Sequence, residues 1–130
     1  MDTLLDTHAL IWWMLDSKRL GQQARKAILA DGARTLISAV SVWEIAIKSS
    51  RGRLQLEQPP EEWIPNVLTK GFEPIPITFQ HASAIRTLPN YHGDPFDRML
   101  IAQAICENLT IVTADAVIRA YDVPIIDASI

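Results

Sequence analysis

The chain has 130 residues, of which 48% are apolar and 21% charged, and its formal net charge is −3. That size suits one domain with a real core and an ordinary globular composition. No apolar run reaches the roughly 18 residues of a membrane helix, and the single cysteine, Cys106, excludes an intrachain disulfide.

In chain order, helix and strand patterns alternate. Leu4-Leu5-Asp6 reads as a short apolar strand ending in an acid. His8 to Leu15 reads as a helix broken at Asp16-Ser17, and Gln22 to Ala30 as a second, with Gly32 beyond its end. Thr35 to Ser38 is a strand. Ser41 then caps a helix, with Glu44 at capping-box spacing. Arg53 to Gln58 is a polar connection. Pro59-Pro60-Glu61-Glu62 opens a helix that runs to Lys70-Gly71. Glu73 to Ile77 is extended, and its two prolines suit only a sheet edge. Thr78 caps a helix to about Leu88. Asp94-Pro95 is an N-cap followed by proline at the first helical position, opening a helix to Asn108. Leu109 to Thr113 is the most strand-like run in the chain. Asp115 to Tyr121 is a short helix, and Val123 to Ile126 a last strand.

Strands separated by helices imply a parallel sheet covered on both faces. Sites in such folds form beyond the carboxyl ends of the strands. Asp6 and Asp115 both stand there. Each alone reads equally well as a helix N-cap. Glu44 pairs as readily with Ser41 or Lys48, yet Trp43 and Ile45 flank it in an apolar stretch, so its carboxylate needs a partner. Asp97 opens an otherwise apolar helix, where the helix dipole already favours an anion. Asp94 is the cap of that helix. Together, Asp6, Glu44, Asp97 and Asp115 suggest an oxygen-donor site for a hard divalent cation. Setting these acids aside leaves the rest of the chain near neutral, so non-specific, salt-driven nucleic-acid binding should be weak.

No Cys or His spacing resembles a zinc site, and no Gly-rich loop suggests a nucleoside triphosphate. His8 reads as a helix-surface or packing residue and His81 as facing solvent, while His92 lies in the loop before Asp97. Cys106 reads as a small core residue. Trp12 and Trp13 are adjacent on a helix and cannot both face the core, which suggests a protein contact. Lys48, Arg51 and Arg53 form a small basic cluster near Glu44.

Four segments carry a resemblance: Leu4-Leu5-Asp6-Thr7-His8 through Trp12; Ser41-Val42-Trp43-Glu44 through Lys48; His92-Gly93-Asp94-Pro95-Phe96-Asp97-Arg98 through Ala104; and Ile111-Val112-Thr113-Ala114-Asp115. In order and spacing the chain resembles PIN-domain ribonucleases, specifically VapC-type toxins of bacterial toxin–antitoxin pairs. It departs from that pattern at Tyr91, where a histidine is common, and at Gly93, where a basic residue is common.

The resemblance implies a single three-layer α/β/α domain over residues 1–130, with a mainly parallel sheet of four to five short strands. It implies a cytoplasmic, homodimeric enzyme that cleaves RNA with Mg²⁺ or Mn²⁺ and is silenced by a cognate antitoxin. Asp6 and Asp97 map to the main metal ligands, and Glu44 and Asp115 complete the catalytic pocket. Thr113 maps to a hydroxyl beside the last acid. Thr7, Lys48, Arg98 and His92 are further candidates for holding substrate or supporting the acids, and Arg98 would either steady a phosphate or pair with Asp94. The rival readings are an RNA- or antitoxin-binding module without turnover, and a phosphatase with Asp6 as nucleophile. The second is disfavoured because that chemistry wants an acid where His8 stands.

Overall fold

The computed structural model describes residues 1–130. Five short strands, β1 (Thr3–Leu5), β2 (Thr35–Ser38), β3 (Phe72–Ile75), β4 (Thr110–Thr113) and β5 (Ile125–Asp127), form one sheet in the order β3-β2-β1-β4-β5. Every pairing is parallel. β3 contains Pro74 and lies at an edge, where a residue without an N–H is tolerated.

Six helices cover the sheet: α1 (Thr7–Met14), α2 (Gln22–Ala27), α3 (Ala39–Ser50), α4 (Pro60–Thr69), α5 (Phe79–Ala84) and α6 (Pro95–Glu107). Alternation along the strands divides the core in two. Leu5, Ile37 and Val112 pack with α1, α2 and α4 residues such as Leu10, Ala24 and Trp63. Leu4, Leu36 and Ile111 pack on the other face with Leu100, Ile101 and Ala104 of α6. The result is three layers with β1 at the centre. Helix α3 serves both cores, through Val40 to one and Ile45 to the other.

Several expectations are corrected. Ser38, not Ser41, caps α3: its Oγ accepts the Val40 N–H at 3.0 Å. Ser41 lies one turn inside the helix, so the spacing to Glu44 is no capping box. The Asp115–Tyr121 segment forms only a 3₁₀ turn at Ile118–Ala120, and the helix after Thr78 decays into another at Ile85–Thr87. Helix α2 ends at Ala27, and Leu29 takes a positive φ of 60°.

His81 is 1% exposed rather than at the surface. Its Nδ1 accepts the Thr78 N–H, completing a capping box, and its Nε2 lies 3.0 Å from Glu107. A histidine with both ring nitrogens partnered can be buried. Cys106 is only partly buried. Trp12 and Trp13 are both partly buried, Trp13 edge-on to Phe72. His8 is exposed, on the helix surface.

Candidate metal centre

The parallel register sets the acids side by side. Leu5 pairs with Val112, so the residues just beyond β1 and β4 leave the same edge of the sheet. The Asp6 N–H donates to the Val112 carbonyl at 3.1 Å. Asp6 then caps α1, accepting the Ala9 N–H at 2.8 Å. Asp115 follows β4, and the Thr113 hydroxyl accepts its N–H at 3.0 Å. That leaves the Thr113 proton for Asp6, with which it hydrogen-bonds.

Glu44 arrives from α3 on the other side of β1 and is buried. Its Oε1 lies 2.7 Å from the Thr7 hydroxyl and its Oε2 lies 2.6 Å from Lys48 Nζ. Asp97 stands in the first turn of α6 with its side chain 18% exposed. The Asp94 carboxylate caps the helix by accepting the Phe96 and Asp97 N–H groups.

These carboxylates feel one another. Burial pushes the Asp97 pKa up to about 7, and the charges of Asp94, Asp6 and Glu44 add to that, against an opposing pull from His92. Burial also raises Asp6, with Asp115 adding to it, against hydrogen bonds from Thr113 and Ala9. Burial would raise Asp115 too, but hydrogen bonds from His92 and the backbone of Val117 and Ile118 outweigh it, and its pKa falls. A group of acids in which like charges add to burial in lifting carboxylate pKa values is one that a hard cation would relieve. The carboxylate donors therefore fit a hard divalent cation.

The tightest potential ligand cluster is His92, Asp97 and Asp115, whose ligand atoms lie within 4.8 Å of one another. His92 Nε2 is 2.8 Å from Asp115 Oδ2 and 3.1 Å from Asp97 Oδ2. Its Nδ1 accepts the Asp94 N–H at 3.1 Å, so the proton resides on Nε2, between the two carboxylates. Asp6 and Glu44 border this cluster and reach it through charge.

Arg98 does not pair with Asp94. Its guanidinium donates to the carbonyls of Pro89 at 2.7 Å and Leu88 at 3.3 Å, and to the Tyr121 hydroxyl at 3.3 Å. Tyr121 donates in turn to Pro89 and accepts the His92 N–H at 2.8 Å. Arg98 and Tyr121 thus brace the loop that carries His92. Nothing in sequence spacing points to Tyr121. A second omission is Gln103, fully buried, whose Oε1 accepts from the Ser38 hydroxyl at 2.6 Å and ties α6 to β2. A lone amide within an apolar helix was the available signal.

Against known proteins, the model of the PIN domain family matches residues 3–124. The chain belongs to the PIN domain family. This PIN domain is 32% identical over 122 residues to ribonuclease VapC22 of Mycobacterium tuberculosis, covering 93% of this chain and 92% of that one. Its fold is shared with VapBC2 from Rickettsia felis, solved bound to a DNA fragment from its promoter: TM-score 0.74, 15% identity, 97% and 98% of the two chains covered. VapBC-1 from nontypeable Haemophilus influenzae superposes with a TM-score of 0.69 at 21% identity, over 98% of each chain. At those identities the solved structures bear on the fold of this PIN domain alone.

Proposed function

We propose that this PIN domain is a divalent-metal-dependent endoribonuclease, the VapC-type toxin of a toxin–antitoxin pair. The observation that carries the reading is the charge coupling of Asp6, Glu44, Asp97 and Asp115 near the carboxyl edge of the sheet: Asp97 feels Asp6 and Glu44, Asp6 feels Asp115, and Asp97 and Asp115 share His92. The identity to a ribonuclease VapC along nearly the whole chain supports it. By the same reading, Asp6 and Asp97 are the principal ligands of Mg²⁺ or Mn²⁺, with Glu44 and Asp115 completing the pocket. The partners are RNA, a second copy of this chain and a cognate antitoxin, in the cytoplasm.

A bound ion would neutralise charge on the phosphodiester and lower the pKa of an attacking water. The chain's own residues prepare the site. Thr7 and Lys48 hold the Glu44 carboxylate in one orientation. Thr113 and the Ala9 N–H do the same for Asp6. In-line attack by water opposite the 3′-oxygen leaves a 5′-phosphate and a 3′-hydroxyl.

The test incubates purified chain with structured RNAs in Mg²⁺, Mn²⁺ or EDTA, beside Asp97→Asn. Wild type cleaves with metal and not with EDTA, and the variant is inert throughout. Identical behaviour of the two proteins in all three conditions overturns the reading.

A further inference from the structure

Trp43 immediately precedes Glu44 and is 55% exposed, an unusual state for the largest apolar side chain. It is held in place. Its ring meets Phe96 edge-to-face, with centroids 4.9 Å apart at 78°. Phe96 immediately precedes Asp97 and packs partly buried against the α6 side of the core. An anchored, exposed aromatic surface is therefore carried one residue from Glu44, with Phe96, one residue from Asp97, packed against it.

Of the basic side chains near those acids, two are already engaged, while Arg51 and Arg53 lie exposed on the surface. Lys48 pairs with Glu44, and the Arg98 guanidinium is directed at backbone carbonyls and Tyr121. The chain as a whole carries −3. Salt-driven contact with phosphates is therefore a weak source of grip. Aromatic faces hold unpaired bases without needing charge.

We propose that Trp43 is a stacking platform that holds one unpaired nucleobase next to the phosphodiester at the acidic site. The inference rests on the ribonuclease reading above and names the part of the substrate that this chain grips.

The experiment uses full-length Asp97→Asn, so that RNA stays intact, and a short single-stranded RNA spanning a site that wild type cuts. An abasic nucleotide is stepped along the strand. Adding Trp43→Ala weakens binding of the intact strand roughly 5- to 100-fold, while Trp43→Phe retains most of the affinity. At one abasic position, Trp43→Ala causes no further loss. In the active enzyme, Trp43→Ala raises KM far more than it lowers kcat.

Equal losses on intact and abasic strands overturn the platform while the ribonuclease reading stands. Light scattering that shows Trp43→Ala splitting a dimer into monomers also overturns it, because the face then belongs to a second copy. A wild type that cuts no RNA overturns the ribonuclease reading and the platform with it.

Discussion

His92 Nε2 lies 2.8 Å from Asp115 Oδ2 and donates its proton into the gap between Asp115 and Asp97. In the metal-free protein this hydrogen bond does part of a cation's work, easing the repulsion between two carboxylates. An ion held by Asp97 with help from Asp115 would have to displace it. His92→Ala should therefore cost the EDTA-treated protein about 1–3 kcal/mol. The rise in melting temperature on adding Mn²⁺ should be larger than for wild type. Thermal scans with and without metal check this, and equal Mn²⁺ increments for the two proteins would rule it out.

Asp97 yields a pH dependence with a definite sign. Its folded pKa is about 7, against an ordinary 3.8, with burial the leading cause. The folded state thus holds a proton that the unfolded chain has released. The associated stability is complete below about pH 4 and is lost as pH rises toward 7. Asp6, also raised, has the same sign; Asp115, lowered, acts below that window. In EDTA, the melting temperature should fall from pH 4 to 7, less steeply in Asp97→Asn. At pH 7.5 the variant should melt higher by about 5 °C. Metal should reverse that order, since it stabilises wild type more. A wild-type melting temperature that climbs between pH 5 and 7 in EDTA refutes the assignment.

The parts of this fold that local sequence specifies were the legible ones. Apolar runs such as Leu4-Leu5 and Ile111-Val112 mark central strands, and acids directly after them have to emerge at the carboxyl edge. Asp94-Pro95 is a helix start that needs no tertiary information. Contacts between distant segments were not legible. The spacing of Ser41 and Glu44 mimics a capping box, but the Glu44 carboxylate is claimed by Thr7, far away in sequence. His81 is buried because Thr78 and Glu107 satisfy both ring nitrogens. The setting of His92 depends on Tyr121 and Arg98, which no spacing rule connects to it.

Ser38 and Gln103 form a buried polar link whose loss should be measurable. The Ser38 hydroxyl accepts the Val40 N–H and donates to Gln103 Oε1, while Gln103 Nε2 donates to the Pro76 carbonyl at 3.2 Å. Ser38→Ala removes the cap of α3 and strands a buried amide oxygen. The combined loss should be about 2–4 kcal/mol. Gln103→Leu also destabilises, but the double variant should be more stable than the sum of the single losses implies, since no amide is then left unpaired. Urea unfolding of the four proteins checks this. Strictly additive losses would mean that the two residues act independently.

Glu44 supplies the last prediction. It is buried, and each carboxylate oxygen has one partner, Thr7 at 2.7 Å and Lys48 at 2.6 Å. The Lys48 side chain is 36% exposed, so water can partly replace it. Thr7 is buried, and water has no comparable route to its place. Thr7→Val keeps the shape and removes the donor, leaving a carboxylate oxygen unpaired, at a cost of about 1–3 kcal/mol in EDTA. Thr7→Ser, which keeps the hydroxyl, should recover most of that. In a Glu44→Gln background the same Thr7→Val change should cost less, because a neutral amide is cheaper to strand than a charge. If Thr7→Val is equally damaging whether position 44 is charged or neutral, the hydroxyl serves packing and not the Glu44 carboxylate.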